Sequence, residues 1–148
     1  MSAVQIYMDV CALSRPFDDQ AQLRIRLETD AVHLILSHVR SGRLTLIVSP
    51  AHDAEIRAID DVAKREHLIS LLGQVGQRAP FDLRPARQRA EQLTHKGLGP
   101  ADAAHLAFAE QARASFITCD DRLLRQYRRA GPVVWAGTPV AFCDKENL

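Results

Sequence analysis

The stretch IYMDVCALSRPFDD, residues 6–19, opens on β-forming apolar residues, stops at an aspartate, and then runs through Arg15, Pro16, Asp18 and Asp19. The apolar run over residues 4–8 suits a strand buried on both faces, the kind that parallel sheets contain. Asp9 follows it where aspartate is disfavoured, beside an apolar segment that makes an unpartnered carboxylate costly. The question for the whole chain is what a carboxylate does at the end of a buried strand.

Outward from this stretch, residues 20–40 carry Leu23, Leu27, Val32, Ile35, Leu36 and Val39 at helical spacing and end at Gly42. LTLIV at residues 44–48 predicts a second buried strand, and Pro50 sits where a first helical turn favours proline, opening a helix through residue 59. Residues 62–77 continue as helix, residues 80–83 are ambiguous, and residues 85–96 form a helix stopped by Gly97 and Gly99. Pro100 begins PADAAHLAFAEQAR, another helix. SFIT at 115–118 is a strand, DRLLRQYRRAG a helix with a glycine stop, residues 133–135 a last strand, and PVAFCDKENL a weak helical turn leading into a polar tail from about residue 144. Strands separated by helical stretches predict an α/β fold: a mostly parallel central sheet between two helical layers, in one domain spanning residues 1–148.

Bulk composition narrows the function. The 148 residues are 47% hydrophobic and 25% charged with a formal net charge of +1, so any contact with nucleic acid is expected to be local rather than a basic coat. Cys11, Cys119 and Cys143 are odd in number and have no paired spacing, which argues against a disulfide framework or a four-cysteine zinc site and for a reducing, cytoplasmic setting. No export signal or membrane span is evident. No Walker loop, dinucleotide fingerprint or nucleophile elbow is present.

In open parallel sheets the ligand crevice lies beyond the carboxyl ends of the strands. Four acidic residues are expected there: Asp9 after the first strand, Glu55 early in the helix after the second, Asp102 opening the helix begun by Pro100, and Asp120 directly after SFIT. Crowded carboxylates repel and raise one another's pKa unless a cation joins them. Oxygen donors without a thiolate or paired histidines favour magnesium or manganese over zinc, and such an ion suits phosphodiester hydrolysis. Each residue alone has a plainer use: Asp102 complements a helix dipole, Asp120 or Asp121 caps the following helix, and Glu55 sits on a solvated helix face.

With these residues in order, the chain resembles the PIN-domain family, and more narrowly the VapC-like toxin ribonucleases, in a subgroup with an RPFDD first loop. The likeness runs from YMDVCALSRPFDDQ through LGPADAAHLAFAEQA to FITCDDRLL. It implies a three-layer α/β/α sandwich and a magnesium- or manganese-dependent endoribonuclease acting on RNA, paired with an antitoxin protein. It carries Asp9, Glu55, Asp102 and Asp120 onto the family's acidic metal-site positions and Thr118 onto its small polar position. Where the family often has Thr or Ser after the first aspartate, this chain has Val10.

Other residues have readings on both sides. Asp121 is expected to cap its helix, and Asp18 and Asp19 to cap the helix near Gln20. His105, one turn beyond Asp102, either packs in the core or reaches the same rim. Arg15, Arg122, Arg125, Arg128 and Arg129 either hold the RNA backbone or form a solvated face. Part of the apolar surface of the 20–40 helix and the pair after it is expected to serve a homodimer. The alternatives to a ribonuclease are another metal-dependent phosphoesterase on a similar sheet, a receiver-like phosphoacceptor with Asp9 as nucleophile, or a catalytically silent module that binds a protein partner.

Overall fold

A computed structural model describes residues 3–148. Five strands form one sheet: β1 (Val4–Met8), β2 (Leu44–Val48), β3 (Gly76–Arg78), β4 (Ser115–Ile117) and β5 (Ala136–Gly137), in the order β3-β2-β1-β4-β5. Every pairing is parallel, with Ile6 opposite both Leu46 and Ser115. The carboxyl ends of all five strands therefore lie along one edge.

The helices are α1 (Val10–Leu13), α2 (Leu23–Arg40), α3 (Pro50–Arg57), α4 (Val62–Val75), α5 (Leu83–His95), α6 (Pro100–Gln111), α7 (Asp121–Arg129) and α8 (Pro139–Glu146). Strand side chains alternate between two cores, as the pleat requires. Ile6, Met8, Leu46 and Val48 pack with α2, α4 and Phe142 of α8, while Tyr7, Ile47 and Phe116 pack with α5, α6 and α7. The chain is thus the three-layer α/β/α sandwich expected from its pattern, and β1 is buried on both faces at its carboxyl half.

Four expectations about elements are corrected. Residues 76 and 77, read as the end of a helix, form the edge strand β3 with Arg78, because Gly76 lets the chain turn against β2: an added Cβ would lie 2.3 Å from Val48 Cγ2 and 2.6 Å from the Leu72 carbonyl oxygen. The last strand is Ala136–Gly137 rather than residues 133–135, where the backbone enters pairing only through the Trp135 carbonyl that accepts from Phe116. Residues 144–146, expected as a tail, close α8; Asn147 adopts the left-handed conformation at its C-terminus, and the Leu148 N–H donates to the Cys143 carbonyl. α2 begins at Leu23, with Leu23 and Leu27 exposed and the buried stripe moved to Glu28, Ala31, Val32, Ile35, Leu36 and Val39. Asp19 caps only the turn before it, through the Ala21 N–H, and Asp18 binds Arg15. No described helix is long and apolar enough to cross a membrane.

Candidate active site

Asp9 leaves β1 and immediately caps α1, its Oδ1 accepting from the Ala12 N–H at 2.9 Å. It is buried, and its backbone N–H still donates to the Ile117 carbonyl, so the carboxylate is fixed between β1 and β4. Thr118, fully buried just after β4, accepts the Asp120 N–H at 3.1 Å, and its hydroxyl favours the charged form of Asp9. Asp120 is the N-cap of α7, its Oδ1 accepting from the Leu123 N–H at 3.1 Å.

Asp102 lies in the first turn of α6 and is half-buried. Glu55, on α3, keeps a side chain 41% exposed. Burial lifts the Asp9 carboxyl from 3.8 to about 6, against hydrogen bonds from Thr118 and Ala12, with the Asp102 charge adding to the rise. Burial also lifts Asp102, and the charges of Asp120 and Glu55 push the same way. Asp102 is thus the electrostatic hub of the four carboxylates.

The residues fit a hydrated hard cation better than a closed cage. Among the described residues, no three His, Cys, Asp or Glu side chains stand together as a ready-made ligand set. Oxygen donors spread around an open rim, two of them held above their ordinary carboxylate range by burial and like charge, suit an ion that keeps several waters and takes only one or two carboxylates directly. Asp9, Asp102 and Asp120, with Glu55 beside them, are the residues able to hold it. A cavity of about 540 Å³ lies away from this rim, between Asp53, Ile56, Arg57, Ile69, Leu72 and Arg78, and contributes nothing to it.

Other sequence expectations resolve differently. Asp120 itself, not Asp121, caps α7; Asp121 forms a two-pronged pair with Arg24 at 2.8 and 2.9 Å. Arg15 is committed to Glu28 and Asp18 and is not available to a nucleic-acid backbone. Arg122, Arg125, Arg128 and Arg129 are exposed along α7, which Asp120 caps, and among the described residues they form no ion pair closer than 4 Å. Cys11 is exposed, whereas the Cys119 thiol is buried against it; that contact and burial push Cys119 upward.

Beneath the rim is a group of buried polar side chains that the sequence reading did not connect. His105 Nε2 meets Glu55 Oε2 at 3.0 Å, its Nδ1 meets the Tyr7 hydroxyl, and that hydroxyl meets Ser49 Oγ at 2.6 Å. His52 spans from the Ser49 N–H to the Met8 carbonyl and stacks on Tyr7. The available signals were a tyrosine inside β1 and a histidine three residues after Asp102 on the same helix face.

The PIN domain family model matches residues 6–129. Among solved structures, the chain is similar to the crystal structure of FitAcB from Neisseria gonorrhoeae, with a TM-score of 0.54 and 22% identity over 91% of this chain and 98% of that one. It is similar also to FitAB bound to an IR36 DNA fragment, with a TM-score of 0.54 and 20% identity over 90% of this chain and 94% of that one. No curated protein sequence matches it.

Proposed function

Since the chain belongs to the PIN-domain family, we propose that it is a divalent-metal-dependent endoribonuclease, hydrolysing RNA phosphodiesters at the rim of Asp9, Asp102, Asp120 and Glu55. The observation that carries this reading is the placement of buried Asp9 and half-buried Asp102 at the carboxyl edge of a parallel sheet, each raised chiefly by burial and then by a neighbouring carboxylate, Asp9 by Asp102 and Asp102 by Asp120 and Glu55. Groups raised in this way are characteristic of functional sites, and here the shift has the sign that a bound cation relieves.

Magnesium or manganese, when bound, supplies Lewis-acid stabilisation of the phosphate and an activated water. The chain's own residues do the rest. Asp9 and Asp120 are immobilised by the α1 and α7 N-termini that they cap, and Thr118 accepts the Asp120 N–H and favours charged Asp9. Asp102 would share the cation's charge with them, and Glu55, its side chain 41% exposed, would be a ligand or the base that orients the attacking water. Exposed Arg122, Arg125 and Arg129 stand at i, i+3 and i+7 along α7, the helix that Asp120 caps, and hold the backbone of a single strand by charge, without reading its sequence.

We further propose that the chain is the toxin half of a toxin-antitoxin pair, works in the cytoplasm and forms a homodimer. The resemblance to VapC-like ribonucleases and the fold shared with FitAB, which is bound to DNA in its own structure, support this placement.

The test is substrate class. Purified chain with manganese is offered single-stranded RNA, single-stranded DNA and a small phosphate monoester. Cutting of RNA within the strand, abolished by chelation and by Asp102→Asn, is the expected result. Turnover of the monoester alone would replace the ribonuclease by a phosphatase, and inertness toward all three would leave a partner-binding module. Growth arrest on expression, relieved by the product of an adjacent reading frame, tests the toxin assignment.

A further inference from the structure

Unlike Asp9 and Asp120, Glu55 caps no helix, and with a side chain 41% exposed its carboxylate is not fixed by its own backbone. We propose that His105 is a positioning residue for Glu55, held in a single tautomer by Tyr7 and Ser49, so that a buried hydrogen-bond chain sets the orientation of the Glu55 carboxylate. This rests on the reading of the rim as a catalytic site.

The assignment follows from which atoms can donate. The Glu55 carboxylate accepts, so His105 Nε2 carries a hydrogen and donates to Oε2 across 3.0 Å. His105 Nδ1 is then left to accept, and the hydroxyl it faces is that of Tyr7. Having donated to His105, the Tyr7 oxygen accepts from the Ser49 hydroxyl at 2.6 Å, and Ser49 Oγ accepts in turn from the Ala51 N–H at 3.2 Å. With His105 neutral, the direction runs from Ser49 to Tyr7 to His105 to Glu55. Each side-chain atom from Ser49 Oγ to Glu55 Oε2 has its partner. Glu55 Oε1, at the end of the chain, makes no hydrogen bond to a described residue and is left for the chemistry.

His52 makes the chain rigid. Its Nδ1 accepts the Ser49 N–H at 3.1 Å, so its Nε2 hydrogen donates to the Met8 carbonyl at 2.7 Å. Its ring stacks on Tyr7 at 4.5 Å between centroids and meets His105 edge-on at 5.1 Å. Met8 directly precedes Asp9, and Ser49 caps the helix that carries Glu55. The network therefore grips Glu55 twice, through the start of α3 and through the carboxylate. It also ties α3 and α6 to the end of β1 that delivers Asp9. Tyr7, Ser49, His52 and His105 are all at most 1% exposed. A buried polar chain of this kind that served stability alone would not need to end on an exposed carboxylate.

The experiment uses the full chain with manganese and single-stranded RNA at one pH. His105→Leu is expected to lower kcat roughly 10- to 100-fold, the range found for supporting partners of site carboxylates and ligands, with KM little changed. His105→Gln, whose amide returns a donor near the Nε2 position, is expected to recover most of the loss. In a Glu55→Ala background, His105→Leu is expected to cost nothing further, because the two act as one unit. Multiplying losses, or a His105→Leu enzyme as fast as wild type while Glu55→Ala is slow, would overturn the proposal. Nitrogen-15 spectra of labelled histidine read the same claim without activity. His105 is expected to show hydrogen on Nε2 only, and Tyr7→Phe or Glu55→Ala to release it into mixed tautomers. A wild-type chain inert toward RNA but with the single-tautomer spectrum would refute the nuclease reading and keep the positioning chain. Mixed tautomers in wild type would refute the chain itself.

Discussion

Asp9 Oδ1 accepts from the Ala12 N–H at 2.9 Å, so the carboxylate that ends the first strand is also the N-cap of the helix that follows. The two roles separate on mutation. Asparagine caps as well as aspartate, whereas alanine removes the cap at a cost of about 1 kcal/mol. Asp9→Asn is therefore the variant that deletes the charge and keeps the turn.

The same substitution has a defined pH signature. Asp9 is raised by burial from 3.8 to about 6, and buried His52 is lowered from 6.5 to about 4. The Asp9 contribution to stability is complete below its unfolded value and is lost as pH rises through about 6; that of His52 is complete above 6.5 and is lost as pH falls through about 4. At about 1.4 kcal/mol per unit, each swing is roughly 3 kcal/mol, and in wild type they oppose one another. Asp9→Asn leaves only the His52 swing. Urea midpoints of the variant are expected to exceed wild type at neutral pH and to fall more steeply on acidification; parallel curves would show that Asp9 is not held above its ordinary range.

Glu28 is 3% exposed and is bound by Arg15 at 2.8 Å, with Arg24 at 3.5 Å. Removing one partner of a buried pair strands the other. Glu28→Ala is expected to cost about 3 kcal/mol, the low end for such losses because Arg15 keeps Asp18. Denaturant unfolding of Glu28→Ala beside Arg15→Ala measures it.

Gly76 is required by space rather than by backbone angle. With Val48 Cγ2 and the Leu72 carbonyl oxygen inside 3 Å of an added Cβ, Gly76→Ala is expected to lose about 1–3 kcal/mol through displacement of β3. The neighbouring Gly73→Ala, where nothing lies within 4 Å, is expected to be neutral or stabilising. Thermal melts of the pair separate overpacking from a general intolerance of this helix.

The arginines of α7 carry the proposed backbone contacts. Arg125→Ala and Arg129→Ala are each expected to weaken RNA binding similarly across sequences and to reduce the salt slope by about 1. Binding titrations at several salt concentrations decide it; an unchanged slope would return these side chains to the role of a solvated face.

The parallel sheet was legible because its long elements carry strong local signals. LTLIV and residues 4–8 are short apolar runs, and Pro50 and Pro100 mark helix starts that the structure keeps at the same residues. The misread elements lack such signals. β3 and β5 contribute three and two residues to the sheet, so pairing with a neighbour, not local composition, makes them strands. Leu23 and Leu27 continue the helical apolar spacing but face outward, since Arg15 and Arg24 draw Glu28 into the interior beside them. Asp9 and Asp120 were legible from their position directly after strands, Glu55 and Asp102 from helices marked by Pro50 and Pro100. The chain through Tyr7, Ser49 and His105 joins residues 42 and 98 apart, which periodicity does not report.

The most direct measurement is cleavage of a mixed single-stranded RNA during manganese titration of wild type and Asp9→Asn, with both unfolding midpoints recorded. Wild type is expected to cut only with metal, and the folded variant to be slower by roughly 100-fold or more. Metal-dependent cleavage retained at the wild-type rate by a clean, folded Asp9→Asn would contradict the assignment of this rim as the catalytic centre.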